Sequence, residues 1–140
     1  MTSQNLNNLV KTGQLKEEPG DQREFDGLVH SARTRLADAH NGALSIESRF
    51  DLAYNAAHAF ALAALRWHGY RSDKRYLVFQ CVRHTVGLGP EVWRVLTLCH
   101  DRRNLAEYEG HLNIDEQLVS DLLGAADCLV AEVATLAPLK

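Results

Sequence analysis

The segment His100 to Gly110, HDRRNLAEYEG, brings two arginines, an asparagine, a tyrosine and two glutamates into about three helical turns. On a helix, steps of three and four residues align His100, Arg103 or Asn104, Glu107 or Tyr108, and His111 along one side. An arginine to grip a phosphate, an amide to hydrogen-bond it and a phenol or imidazole to move a proton are the parts that phosphodiester chemistry uses. The same spacing also describes a plain solvated helix side. In that case Arg103 and Glu107 form a surface pair worth about 0.3–0.5 kcal/mol, and Tyr108 is an ordinary half-buried ring.

The elements that must position these residues read as helices, because apolar residues recur at three and four and almost never at two. After a short segment around Leu6, Leu9 and Val10, EEPGD at 17–21 ends one element and offers Asp21 with Glu24 as a capping box for the next. That helix carries a narrow stripe of Phe25, Leu28, Val29, Ala32, Leu36 and Ala39 and stops at HNG, 40–42. Ser45 caps a third helix, IESRFDLAYNAAHAFALAALRWHG, which is apolar on almost every side until Gly69 and therefore belongs in the centre. A fourth helix is expected over Lys74 to Val86, where spacing outweighs the strand propensity of YLVFQCV. Pro90 opens a fifth, with Val92, Val95, Leu96 and Cys99 on one side, that runs into HDRRNLAEYEG. The last starts at Asn113, with Glu116 three residues on, and carries a wide stripe from Leu118 to Val133. The expected fold is all-α, an up-and-down four-helix bundle with additional short helices. It forms one domain with a core over about 21–136 and an N-terminal extension over 1–20.

Hydrophobic residues make up 46% of the 140 residues and charged ones 24%, the proportions of a soluble globular domain. No run reaches the ~18 apolar residues of a membrane span, and Met1 is followed by TSQNLNN instead of a basic then apolar leader. No membrane association and a cytoplasmic location are expected. Cys81, Cys99 and Cys128 are odd in number and sit at apolar helix positions, which suggests buried thiols in a reducing compartment. The net charge of −3 is unevenly spread: residues 66–103 hold eight Lys/Arg against three Asp/Glu, and residues 104–140 hold one against seven. Seven of the eight are arginines, the side chain whose planar fork suits phosphate or carboxylate. His58 and His68 read as core or boundary residues, and His84, beside Arg83, joins the basic side. Asn55, with Tyr54 and Arg49 close by, must find hydrogen-bond partners if buried. No histidine or carboxylate pair has metal-ligand spacing and no glycine-rich phosphate loop is present, so neither metal nor cofactor is expected.

A central helix SIESRFDLAYNAAHAFALAALRWHGYR, then an apolar helix, then RRNLAEYEG and a long terminal helix resembles the HEPN superfamily of small four-helix prokaryotic proteins. The signature of that family is an arginine, a polar residue such as Asn, His or Asp, and a histidine after four to six intervening positions. Arg103 and Asn104 match its first part, Tyr108 stands where the histidine is expected, and His111 follows after seven. The likeness spans roughly residues 21–133. What it implies is a metal-independent endoribonuclease, often of toxin–antitoxin type, in which two motifs meet across a homodimer to form one RNA site. Carried over residue by residue, Arg103 would hold the scissile phosphate, Asn104 would orient it, and Tyr108 or His111 would move the proton. Arg102, His100, Glu107, Asn55 and His84 would bind substrate, RNA or a nucleotide. A phenol with a pKa of about 10 shuttles protons near neutrality less well than an imidazole at about 6.5. A second expectation therefore stands beside the first, a non-catalytic helical module that binds a partner protein such as a small nucleotidyltransferase; a plain dimeric scaffold is the third.

Overall fold

The longest helix, α3 (Ile46–Trp67), is the element around which the others are arranged. The computed structural model describes residues 3–139. In chain order the elements are α1 (Ser3–Lys11), β1 (Lys16–Glu17), α2 (Gln22–Ala39), α3, β2 (Tyr70–Arg71), α4 (Arg75–Gln80), α5 (Val82–Thr85), α6 (Pro90–Glu109) and α7 (Glu116–Val133). The class is all-α. The centrality of α3 follows from its composition. Ala53, Ala56, Ala57, Ala61, Ala63 and Ala64 keep its girth small, so neighbours approach from several sides, while Phe50, Tyr54, Phe60 and Leu65 fill the gaps between them. The Ser45 hydroxyl accepts from the Ser48 amide and starts the helix where expected.

One side of α3 takes α2 through Ala32, Leu36 and Ala39, and another takes α7 through Leu118, Val119, Leu122, Ala126 and Leu129. α6 packs on α7 through Val92, Leu96 and Cys99, and α4 wedges Leu77, Val78 and Phe79 against both α3 and α6. Each large apolar side chain removed from water contributes on the order of 1.5–3 kcal/mol. The buried side chains form one contiguous cluster, and Leu6 and Leu15 belong to it, with Leu9 and Val10 packed against it.

Several local expectations are corrected. Lys16–Glu17 and Tyr70–Arg71 form a short antiparallel ladder where no strand was required. Gly69, at φ +90, turns the chain out of α3 into that pairing, and two residues are too few to leave a period in the sequence. The helix expected over 74–86 divides at Cys81 into α4 and α5, where the His84 amide bonds back only three residues to the Cys81 carbonyl and tightens the turn. α7 begins two residues later than expected, because Asp115 rather than Asn113 caps it by accepting from the Leu118 amide at 2.8 Å. At α2 only half of the capping box forms: Asp21 accepts from the Glu24 amide, but the Glu24 carboxylate turns away to Arg66 and Arg71. Cys81 and Cys99 are buried, with thiols pushed by burial up to about 11 and about 12, whereas Cys128 is exposed, on the open side of α7. Among the described residues no helix is long and apolar enough to cross a membrane.

Candidate functional site

Tyr54 is fully buried, and its phenol lies 2.8 Å from Nδ1 of His100 on α6. One turn further along α6, the Asn104 amide nitrogen lies 3.0 Å from His100 Nε2. With that amide donating, Nε2 is the unprotonated nitrogen and Nδ1–H donates to the Tyr54 oxygen. Tyr54, His100 and Asn104 thus form a continuous hydrogen-bonded row from the core to the surface. Phe79 closes its inner side, edge-on to Tyr54 at 5.5 Å and to His100 at 6.3 Å. Two guanidiniums approach the Tyr54 ring, Arg103 at 5.0 Å from α6 and Arg75 at 5.5 Å from α4. Arg75 also donates to the Asn55 side-chain oxygen at 3.0 Å, and the Asn55 amide donates to the Asp51 carbonyl at 2.9 Å. That pair answers the question of how a polar residue sits in an apolar helix.

The electrostatics follow from this arrangement. Burial pushes the His100 imidazole below its ordinary value, against Asp101 and together with Arg103 and Arg75, so it is neutral at pH 7. Burial pushes the Tyr54 phenol up in spite of Arg75 and Arg103, so it keeps its proton. His58, edge-on to Phe79 at 5.8 Å, is driven down to about 4 by burial, with Arg75 and His100 acting in the same direction. The site is two fixed positive charges beside neutral hydrogen-bonding rings. It holds a ready proton acceptor next to a place that favours anions. Among the described residues no three His, Cys, Asp or Glu side chains gather where they could share a metal ion.

His58 makes the fold acid-sensitive in a defined window. The unfolded chain takes a proton at this imidazole below about 6.5, the folded chain only below about 4, so between those values protons favour unfolding. The stability owed to neutral His58 is complete above about pH 6.5 and falls by up to about 3 kcal/mol as pH approaches 4. Urea midpoints measured across that range should drop in the wild type and flatten in His58→Leu. Equal slopes would refute the assignment.

Of the residues singled out in the sequence, the structure brings His100, Arg103 and Asn104 together, and Asn55 joins them through Arg75. Others stand apart. Tyr108 lies one turn beyond Asn104, 87% exposed. α6 ends at Glu109, and Gly110 at φ +80 turns the chain, so exposed His111 is off the ridge that helical spacing would have continued. Arg102 donates to the Asn113 carbonyl at 2.7 Å and clamps the loop before α7. No ion pair forms between Arg103 and exposed Glu107 among the described residues, because Arg103 turns to the Tyr54 ring. His84 lies on α5 beside Asn5 of α1. The basic middle of the chain is likewise dispersed: Arg66 and Arg71 are bound by Glu18 and Glu24, and Arg83 and Arg94 lie against Trp93.

Sequence reasoning missed Arg75 and noted Tyr54 only as a neighbour of Asn55 on the central helix. The one signal for Arg75 was its place in a basic run, KRY, directly after the central helix. For Tyr54 it was a phenol on the same helix as an asparagine that needed partners. Compared with family models, curated proteins and solved structures, the chain matches none.

Proposed function

We propose that the protein handles RNA phosphodiesters at the Tyr54–His100–Asn104 row, as a HEPN-like, metal-independent endoribonuclease. The observation that carries this reading is a neutral imidazole, hydrogen-bonded at both nitrogens, beside the guanidiniums of Arg103 and Arg75. In the step the geometry supports, a phosphate settles on the two arginines and the adjacent ribose hydroxyl displaces the Asn104 amide from His100 Nε2. That nitrogen takes the hydroxyl proton as the ribose oxygen bonds to phosphorus. The bond from phosphorus to the leaving 5′ oxygen then breaks, and that oxygen takes a proton from a water whose hydroxide is neutralised by the proton on His100, which restores the free imidazole. The products are a cyclic phosphate and a free 5′ hydroxyl. In this reading His100 fills the role that the family gives to its signature histidine, and Tyr108 is free of it. Nucleotides offer the same phosphate chemistry, and a toxin–antitoxin setting suits such an activity.

Purified protein should cleave single-stranded RNA in the presence of a chelator and leave cyclic phosphate ends. Arg103→Ala, which removes one charge from the oxyanion's surroundings, should lower kcat/KM by roughly 10²–10³-fold. Wild type as inert as the variant would overturn the enzymatic reading.

A second reading is favoured by Leu98, Leu105 and Tyr108, exposed at 41%, 48% and 87% on one flank of α6. Such a flank suits a protein surface, either a second copy of the chain in a homodimer or a partner of nucleotidyltransferase type. Co-purification with a single stoichiometric partner, together with inert RNA, would favour it over the first.

A further inference from the structure

On α2, Arg23, Gly27, Ser31 and Arg35 recur at every fourth residue and therefore line one side of the helix. That row forms one wall of a cleft of about 390 Å³ whose other wall is Asn55 and His58 of α3, with Arg75 of α4 bonded to that Asn55. Three arginines, Arg23, Arg35 and Arg75, line it. Glu24 also borders the cleft, but its carboxylate is paired with Arg66 and Arg71 and offers no free negative charge. Arg23 and Arg35 are exposed and, among the described residues, joined to no acid, and Arg35 leans on the Ser31 hydroxyl, within the cleft wall. From Arg23 to Arg35 the helix rises about 18 Å, a distance that spans several nucleotides of a single strand and far exceeds one phosphate. The cleft is continuous with the row already described, because Arg75 bonds Asn55 within the cleft and covers Tyr54 outside it.

We infer that this cleft is a track for the sugar–phosphate backbone of single-stranded RNA, which lays phosphates several nucleotides apart on Arg23 and Arg35, takes another on Arg75 and presents a neighbouring one to His100. The inference rests on the reading under Proposed function and adds to it that the substrate is an extended single strand, not a mononucleotide. No aromatic platform lies along the α2 wall, so affinity comes from charge and is sequence-tolerant and strongly salt-dependent. Gly27 matters to the passage: a Cβ built there meets nothing within 4 Å, which leaves the middle of the track open.

The test uses the full chain and a fluorescein-labelled 2′-O-methyl oligouridylate of about ten nucleotides, which binds without being cleaved, beside the dinucleotide UpU and a nucleoside triphosphate. Arg23→Ala/Arg35→Ala should weaken the oligomer about tenfold or more near 0.1 M salt and reduce the slope of log K against log salt by about 1.4, or 0.7 for each lost phosphate contact. UpU cleavage should be unchanged. Gly27→Glu adds a negative charge to the same wall with better helix propensity, so weaker oligomer binding in that variant cannot be laid to unfolding. If both variants bind the oligomer like wild type while UpU is still cut, the track is wrong and the catalytic reading stands. If wild type binds the triphosphate as tightly as the oligomer, the site is a nucleotide site and the track is overturned. If wild type neither binds nor cuts any of the three, both proposals fall together.

Discussion

Arg66→Met should cost about 3–5 kcal/mol of folding stability, the loss expected when one partner is removed from a buried ionic cluster. Arg66 is 2% exposed and donates to Glu24 Oε1 at 2.8 Å, to the Glu18 carbonyl at 2.7 Å, to the Pro19 carbonyl at 2.8 Å and to the Tyr70 carbonyl at 3.3 Å. Its charge is also met by the Glu18 carboxylate at 3.3 Å. One guanidinium therefore ties the end of α3 to the start of α2 and to the β1–β2 pairing. Methionine would fill the volume but leave the two carboxylates with Arg71 and, for Glu18, the exposed Lys16 at 3.8 Å, with three carbonyls stripped of this donor. Against a total stability of about 5–15 kcal/mol, the loss is large enough to leave part of the chain unfolded at 37 °C. Lysine should rescue only a fraction, because an ammonium cannot present the planar fork to a carboxylate and several carbonyls at once. Urea denaturation of the wild type, both variants, Glu24→Gln and Arg66→Met/Glu24→Gln would measure the effect and the coupling. An unchanged midpoint in Arg66→Met would show that the cluster holds nothing.

The same cluster has its own pH window, below that of His58. The hydrogen bond from Arg71 holds the Glu18 carboxyl below the usual range. Burial opposes ionisation at Glu24, but bonds from Arg71 and Arg66 outweigh it, and its carboxyl is lowered too. Lowered carboxyls contribute stability that is present above their unfolded value of 4.5 and lost as pH falls through the folded one. Acid should therefore act on the fold in two stages, first at His58 and then at this cluster.

His100→Ala should lower kcat for RNA cleavage by roughly 10²–10⁴-fold with little change in KM, because the group that accepts the proton is lost while both arginines remain. The pH profile carries the sharper evidence. A base must be unprotonated, and burial holds His100 below its ordinary value, so kcat/KM should be level through neutral and mildly alkaline pH and fall only on the acid side. Tyr54→Phe removes the acceptor for Nδ1–H. It should lower kcat by a smaller factor and shift the acid limb, whereas a merely structural Tyr54 would leave that limb in place. Retention of full activity in His100→Gln, or a profile that rises toward low pH, would remove His100 from the reaction. Tyr108→Phe should leave every one of these measurements unchanged, since that ring lies outside the row.

Much of this protein is local information. The limits of α3 follow from Ser45, an uninterrupted apolar run and Gly69, and those of α6 from Pro90 and Gly110. The neighbourhood of His100, Arg103 and Asn104 is equally legible, since residues three and four apart on a helix must be close. What no local rule supplies is the company they keep. Tyr54 reaches His100 across 46 residues of chain, and Arg75 arrives from a short helix whose start has no side-chain cap. Tyr108 and His111 were the expected proton carriers; Tyr108 is still on α6 but 87% exposed, and His111 lies past Gly110, where the chain turns off the ridge. Arg66 is indistinguishable in sequence from the arginines around it, yet it alone is enclosed, because α2 and the β1–β2 pairing close over the end of α3. Periodicity and capping act over a turn or two and are written in consecutive residues. The choice of which polar groups end up facing one another is made when helices pack, and depends on surfaces contributed by the whole chain.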